Sequence, residues 1–424
     1  SIEDLVEVKE LKCSKTGLTE LGALLGMTKM RFLDFKENSV ENIYPSREFL
    51  EAELKKGKQL SIYLGIDPTG PTLHLGHAIV LKKMQEFQEM GHKVILLIGD
   101  FTGMIGDPTD KTSLRQKLTK KRVLDNAKLY KQQASLFLKF SGNNSAEIKY
   151  NSEWLSKMNF EDVLELASHM TVEQMLKRDM FEERQKQEKP IYIHEFMYPL
   201  MQGYDSVAMD VDGEIGGNDQ TFNMLTGRTL MKQMLQKEKF VLTAKLLEDT
   251  TGIKMGKTQG NMITFADSEN DMFGKVMSWT DGMILAGFEL ATSVSIGEIE
   301  NIKTELEGGA NPKDIKMRLA REIVTIYHGE QKAKSAENDF NNTFRDGGVS
   351  ADADEVSVSA GTMLFEAVLQ VEGLVKSKSD LRRLIDAGAV AVVDGNVIND
   401  INFGINKDVT LKIGKRRFLK IKVK

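Results

Sequence analysis

Leu60-Ser-Ile-Tyr-Leu-Gly-Ile-Asp-Pro-Thr-Gly-Pro-Thr-Leu-His-Leu-Gly-His77 is the stretch on which the reading of this chain turns. Residues 60–66 are almost continuously apolar, as a strand buried on both faces of a parallel sheet is. A Gly/Pro turn follows at 67–72, then a helical pattern over 75–90 with Gly91 at the C′ position. Lys93-Val-Ile-Leu-Leu-Ile-Gly99 is a second apolar run of the same kind. Strand, loop, helix and strand within about forty residues predict a βαβ unit, and so an α/β fold with a parallel sheet.

The turn lies where an open sheet of this kind binds ligands, at a strand C-terminus, and the following helix start offers unpaired amides to phosphate. His74 and His77 stand three apart on one face of that first helical turn, with Gly76 between them permitting close approach. His-x-Gly-His in this place suits a polyphosphate held through its pentavalent transition state; the bland alternative is two half-buried histidines at a helix start. Neither a dinucleotide fingerprint nor a Walker A loop is present.

Working outward, residues 115–190 read as long amphipathic helices, for example 120–140 and 160–178, inserted into the α/β pattern. The alternation resumes near 195–209. A Gly-rich turn at 213–219 precedes a helix over 221–234, and Phe240-Val-Leu-Thr243 reads as a last strand. A polar loop, 248–260, carries Lys254-Met-Gly-Lys-Thr258. Two lysines three apart beside a glycine form a cationic clamp for charge developing on pyrophosphate, although such a loop taken alone is more often merely solvated.

The resulting organisation is a helical leader over 1–50, a catalytic domain over 51–266, a helical domain over 267–345, a polar linker over 346–355 and a small α+β unit over 356–424. The helical domain has one well-marked start: Asn311 as N-cap, Pro312 at the first helical position, and an apolar stripe through Ile315, Leu319, Ile323 and Ile326. In the last unit Ser379 is expected to cap a helix over 380–387. Val390-Ala-Val-Val-Asp-Gly-Asn-Val-Ile398 reads as a hairpin about Asp394-Gly395.

Over 424 residues, 57 Lys+Arg against 62 Asp+Glu give a formal charge of −5, which for the whole chain argues against a nucleic-acid partner. The average conceals two unlike parts. Residues 356–424 hold 12 cations and 7 acids, a net +5, leaving residues 1–355 at −10. A basic appendage on an acidic body is compatible with RNA. No run of apolar residues is long enough for a transmembrane helix. The acidic start (Glu3, Asp4, Glu7, Glu10) is unlike a signal or transit peptide. One cysteine, Cys13, excludes an intrachain disulfide, and no Cys/His set has zinc spacing, so a cytoplasmic location and no protein-bound metal are expected.

The His74/His77 and Lys254/Lys257 segments together resemble the signature pair of class I aminoacyl-tRNA synthetases. Further segments make the chain similar to the bacterial-type tyrosyl-tRNA synthetases among them: Tyr63 ahead of the first loop, Gly106-Asp-Pro108, Tyr198-Pro-Leu-Met-Gln-Gly-Tyr-Asp205 and Gly216-Gly-Asn-Asp-Gln220. The resemblance covers residues 60–424. It implies a Rossmann-like parallel-sheet catalytic domain with inserted helices, a helical anticodon-binding domain and a small ribosomal-protein-like RNA-binding domain. The implied reaction is ATP-dependent ligation of L-tyrosine to its tRNA through a tyrosyl-adenylate.

The resemblance also implies residue roles. Tyr63 and Asp205 would bond the substrate phenol, and Asp107, Tyr198 and Gln202 its ammonium, with Gln220 near the tyrosyl group. A buried polar pair rejects an amino acid lacking the hydroxyl, an argument for which this family is itself the standard example. Thr69, His74 and His77 would meet the ATP phosphates, and Lys254, Lys257, Lys111 and Arg115 would grip pyrophosphate. Gly65, Asp67, Gly76, Gly217, Asp219, Met255, Gly256 and Thr258 would line the ATP site. Lys378, Arg382, Arg383, Arg416 and Arg417 would face RNA. Mg²⁺ would accompany ATP, with no other cofactor, and a homodimer would form through the helices near 120–180.

Two departures stand out. The loop reads Lys-Met-Gly-Lys-Thr rather than the commoner Lys-Met-Ser-Lys-Ser, and Leu64 replaces a weakly polar contact of some relatives. Neither removes a charge. Tryptophanyl-tRNA synthetase, a small-molecule adenylyltransferase and a non-catalytic RNA-binding paralogue are the competing readings.

Overall fold

The computed structural model describes residues 39–108, 118–248, 262–345, 354–371, 373–375, 377–393, 395–414 and 417–424. Residues 1–38 and 346–353, Cys13, Asp394, Lys111, Arg115, Lys254, Met255, Gly256, Lys257, Thr258 and Arg416 lie outside them. The chain forms two compact units, one of residues up to Ala266 with Trp279–Pro312, the other of Asp267–Ser278 with Lys313–Lys424. The stretch 267–345, read above as one helical domain, is thus divided between them.

The first unit is built on a six-stranded sheet in the order β1-β6-β5-β2-β3-β4, with β1 at Val40–Tyr44, β2 at Ser61–Ile66, β3 at Lys93–Ile98, β4 at Glu147–Tyr150, β5 at Gly213–Gly217 and β6 at Phe240–Ala244. The expected βαβ unit is present: β2 and β3 pair in parallel from Ser61↔Lys93 to Ile66↔Ile98, joined through helix α1, Leu75–Glu89. Gly91 follows that helix at φ +90°, the left-handed conformation a glycine adopts without penalty.

From β2 the chain builds outward to β3 and β4, then returns to lay β5 and β6 on the other side of β2. The order therefore reverses between β2 and β5, the topological switch point at which α/β sheets bind ligands. The register there is short: only Ile62↔Gly213 and Tyr63↔Glu214 pair, so the strands part beyond Tyr63. Gly65 is consequently exposed within an otherwise largely buried strand.

Three expectations change. The sheet is mixed rather than all-parallel, because β1, inside the supposed helical leader, pairs antiparallel to β6. The inserted stretch is not a set of long helices: it contains β4 at the sheet edge, and its helices are short, such as Lys120–Ala127 and Phe160–Ser168. The Gly-rich stretch at 213 opens with strand β5, ahead of the short helical turn Asn218–Gln220. Glycines mask strand propensity there, yet Gly213 is required, since a Cβ on it would lie 2.1 Å from the Phe240 ring. Two longer helices, α2 (Ile193–Met209) and α3 (Thr221–Leu235), pack tightly where Gly203 meets Gly227; a Cβ on Gly203 would lie 3.0 Å from the Gly227 amide nitrogen.

The second unit holds helices α4 (Glu269–Met277), α5 (Pro312–His328) and α6 (Glu330–Arg345). Helix α5 buries Ile315, Leu319 and Ile323 from the stripe read in sequence. Strands β7 (Asp354–Val358), β12 (Arg417–Val423), β11 (Val409–Ile413) and β9 (Val390–Val392) form a sheet in that order, beside the two-residue pair β8 (Thr362–Met363) and β10 (Gly404–Ile405). Helix α7, Lys378–Asp386, adds Leu381 and Ile385 to a core with Leu364, Val390, Leu411 and Leu419. Its N-cap is Ser377, not Ser379: the Ser377 side chain accepts from the Asp380 amide.

Candidate active site

The loop between β2 and α1 is fixed largely from outside itself. Asn126 donates to the Pro68 carbonyl at 2.8 Å, the Tyr130 hydroxyl to Gly70 at 2.7 Å and Gln133 to Pro71 at 3.1 Å, so the short inserted helices satisfy the carbonyls of the turn. Burial, aided by Asp67, pushes the Tyr130 phenol up, keeping it a donor. Loop backbone held this way costs no reorganisation when a ligand arrives.

His74 caps α1, and its Nδ1 accepts from the Gly76 amide at 3.1 Å; His77 Nδ1 accepts from the His74 amide at 3.2 Å. The two rings lie 3.9 Å apart. An imidazole that accepts through Nδ1 while neutral carries its hydrogen on Nε2, so both histidines act as Nε2–H donors. Gly76 leaves the room for this, since a Cβ there would meet His74 Cε1 at 3.0 Å. Residues 263–265 run antiparallel to 73–75, with Leu75 donating to Ile263 at 3.1 Å and Phe265 to Leu73 at 3.0 Å.

Two hydrogen-bonded chains lie about the switch point between β2 and β5. In the first, Asp67 accepts from the Tyr198 hydroxyl at 2.8 Å and from Thr102 at 2.6 Å. Asn151 donates to Thr102 at 2.9 Å and to Asp205 at 3.3 Å, and Trp154 Nε1 donates to Asp205 at 2.8 Å. Asp205 is 2% exposed. Burial pushes its carboxyl well above the usual range, against the pull of the Trp154 and Asn151 hydrogen bonds. Burial and the nearby Asp67 carboxylate likewise raise the Tyr198 phenol.

The second chain begins at Asp107, which accepts from Arg178 at 2.9 Å and from Gln220 at 2.9 Å. Asn223 donates to Gln220 and to Gln202, each at 2.9 Å, and Gln202 donates to Glu214 at 3.3 Å. Glu214 accepts from Lys239, Lys239 donates to Ser206 at 2.7 Å, and Ser206 shares a 2.9 Å bond with the Tyr63 hydroxyl. Tyr63 and Lys239 are 0% exposed and Glu214 2%. Burial raises the Tyr63 phenol and lowers the Lys239 ammonium, the latter countered by Glu214.

A family model described as tRNA synthetases class I (W and Y) matches residues 55–345. A tyrosine–tRNA ligase from Carboxydothermus hydrogenoformans is 45% identical over 404 residues, covering 92% of this chain and 97% of that protein. A tyrosine–tRNA ligase from Desulfotalea psychrophila is 43% identical, covering 89% and 94%. The chain belongs to the tyrosyl-tRNA synthetase family. The fold agrees with the crystal structure of tyrosyl-tRNA synthetase complexed with L-tyrosine from Archaeoglobus fulgidus, with a TM-score of 0.58 at 19% identity, covering 73% of this chain and 99% of that one.

Tyr63, Asp107, Gln202 and Gln220 are linked in the second chain, and Asp67, Tyr198 and Asp205 in the first. Asp67, assigned above to ATP, spends its carboxylate on Tyr198 and Thr102. Gly217 gives way to the Asp219 carboxylate, 2.6 Å from where a Cβ would stand, and Thr69 is exposed on the loop. The sequence reading missed Thr102, Asn151, Trp154, Arg178, Ser206, Glu214, Asn223 and Lys239. One signal was available: Glu214 and Lys239 are charges inside or beside otherwise apolar strands, which marks a buried pair.

On α7, Lys378, Arg382 and Arg383 are exposed, with the Lys378 ammonium 3.5 Å from the centroid of the Phe365 ring. Arg417 differs from them: it is half-buried and donates to the Leu374 carbonyl.

Proposed function

We propose that this chain activates L-tyrosine with ATP and transfers the tyrosyl group to its tRNA in the cytoplasm. The observation that carries the reading is the switch-point crevice. There Tyr63 and Asp205 stand at the heart of two buried hydrogen-bond chains, and the His74/His77 donors stand at the mouth of the same strand. Tyrosine's carboxylate attacks the α-phosphorus of ATP in line, displacing pyrophosphate and forming tyrosyl-adenylate; the terminal ribose of tRNA then takes the tyrosyl group and AMP leaves. No side-chain nucleophile or general base is needed. Thr69, the Nε2–H groups of His74 and His77, and the cations Lys111, Arg115, Lys254 and Lys257 neutralise charge on the phosphates, with Mg²⁺ entering alongside ATP.

Asp107, Tyr198 and Gln202 face the ammonium, and Asp219 the ribose. Gly65, Gly76, Gly217, Met255, Gly256 and Thr258 complete the nucleotide site. Apolar side chains left exposed on and after the inserted helices, with Phe160 at 77% and Ile193 at 82%, support a homodimer through that region.

Amino-acid-dependent ATP–pyrophosphate exchange tests the activation step. Tyrosine should support it, with tryptophan and phenylalanine near background; exchange driven best by tryptophan, or none at all, would overturn the reading. The RNA role of the basic appendage has its own test. Replacing Lys378, Arg382 and Arg383 together by Glu should leave pyrophosphate exchange intact, lower tRNA charging and flatten its salt dependence, because about three phosphate contacts are lost.

A further inference from the structure

We propose that the buried Lys239–Glu214 pair, acting through Ser206, sets the direction of the hydrogen bond that Tyr63 offers to the substrate phenol. Lys239 and Glu214 are thereby positioning residues for tyrosine selection. The inference rests on the reading of Tyr63 as a phenol partner and deepens it.

An ammonium has three donors and no acceptor; a carboxylate only accepts; a serine hydroxyl has one hydrogen and two lone pairs. Lys239 donates to Ser206 Oγ at 2.7 Å and to Glu214, so one lone pair of Ser206 is committed to a cation. A hydroxyl that accepts from a cation becomes a stronger donor, and hydrogen-bond chains polarise cooperatively in a low-dielectric interior. The Ser206 hydrogen is then directed to the Tyr63 oxygen 2.9 Å away. Tyr63, having accepted, keeps its own hydrogen to donate; the Glu214 carboxylate is its acceptor within the chain, and an arriving phenol takes that hydrogen in its place. A phenol arriving there accepts from Tyr63 and donates onward to the Asp205 carboxyl, so both capacities of the substrate hydroxyl are used.

The same pair orients the other arm. Glu214 can only accept, which turns the Gln202 amide so that its nitrogen faces Glu214 and its oxygen faces Asn223. One buried ion pair thus fixes the polarity of groups at both ends of the tyrosine site. Space is reserved for it: a Cβ on Gly227 would lie 2.8 Å from Lys239 Nζ and 2.9 Å from Ser206 Oγ. Buried ion pairs are poor stabilisers compared with well-packed apolar residues, so a fully enclosed pair adjoining a substrate contact calls for a role other than stability.

Three enzymes and two amino acids test this: Ser206→Ala, the charge-free double variant Lys239→Met with Glu214→Gln, and Tyr63→Phe, each in pyrophosphate exchange with tyrosine and phenylalanine. The double variant keeps an acceptor for Gln202 and leaves no lone buried charge, and Ser206→Ala changes a single oxygen. Both should lower kcat/KM for tyrosine roughly three- to ten-fold, the scale of one neutral hydrogen bond, while leaving the phenylalanine value and the KM for ATP unchanged. Combining all three substitutions should add nothing further. A Tyr:Phe ratio equal to that of the unsubstituted enzyme in Ser206→Ala or in the double variant overturns the proposal. An unchanged ratio in Tyr63→Phe overturns instead the phenol reading beneath it.

Discussion

Gly99→Ala should cut tyrosine-dependent pyrophosphate exchange by about a hundred-fold or more. A Cβ at position 99 would lie 1.9 Å from Asp67 Oδ1 and 2.5 Å from Thr102 Oγ1, closer than real atoms approach. Position 99 follows the last residue of β3, and its amide is bonded to the Ile66 carbonyl at 2.9 Å, so the backbone is pinned and the Asp67 carboxylate has to move. In moving it releases both Tyr198 and Thr102. Hydrogen bonds to charged groups are worth about 1.5–3 kcal/mol each, and two of them correspond to roughly 10²–10⁴ in kcat/KM. Gly297→Ala is the matched control: it lies in the helix Ile296–Glu307 with nothing within 4 Å of the added carbon, and should leave activity unchanged. Activity within about threefold of the unsubstituted enzyme in Gly99→Ala would show that the Asp67 cluster does not organise the site.

Asp205→Asn should do two opposite things. Exchange with tyrosine should fall roughly ten- to a hundred-fold and the Tyr:Phe ratio should collapse, because the carboxyl that pairs with the phenol hydroxyl is gone. Stability should shift the other way as pH rises. Burial holds the Asp205 pKa in the folded chain well above its unfolded value, so the group's contribution is fully present below the unfolded value, about 3.9. It is lost as pH rises from there through the folded value, because the unfolded chain releases a proton that the folded chain must keep or ionise at a cost. Asparagine does not titrate. Urea unfolding at a series of pH values should therefore show the variant gaining on the unsubstituted protein with rising pH. A gap independent of pH would mean that the Asp205 proton is not held by burial. An unchanged Tyr:Phe ratio would remove Asp205 from substrate selection.

Much of this was legible in local pattern. The apolar runs of β2, β3 and β6 and the glycine-stopped helix α1 depend on residues close in sequence, and they fall where the spacing placed them. The strand β5 was masked because its glycines answer to side chains from other elements, Gly213 to the distant ring of Phe240 and Gly216 to Met224. The edge strand β4 was hidden among helix-forming residues, since strand formation there depends on pairing with β3 rather than on propensity. The antiparallel β1 was invisible for the same reason: its register is chosen by β6, some two hundred residues away.

The site divides along the same line. By itself the sequence determined the residue types that chemistry requires at short spacing: the His74/His77 pair, the Tyr198–Gln202–Asp205 helix face, the two loop lysines, and the basic appendage within an acidic chain. Only the tertiary structure decided what those residues lean on: Asp67 on Tyr198 and Thr102, Asp107 shared by Arg178 and Gln220, and Lys239 with Glu214 and Ser206 behind Tyr63. The physical reason is range. Propensity and periodicity act over a few residues, whereas a buried charge chooses its partner through space, and those partners lie on strands and helices that meet only once the sheet has reversed its order between β2 and β5.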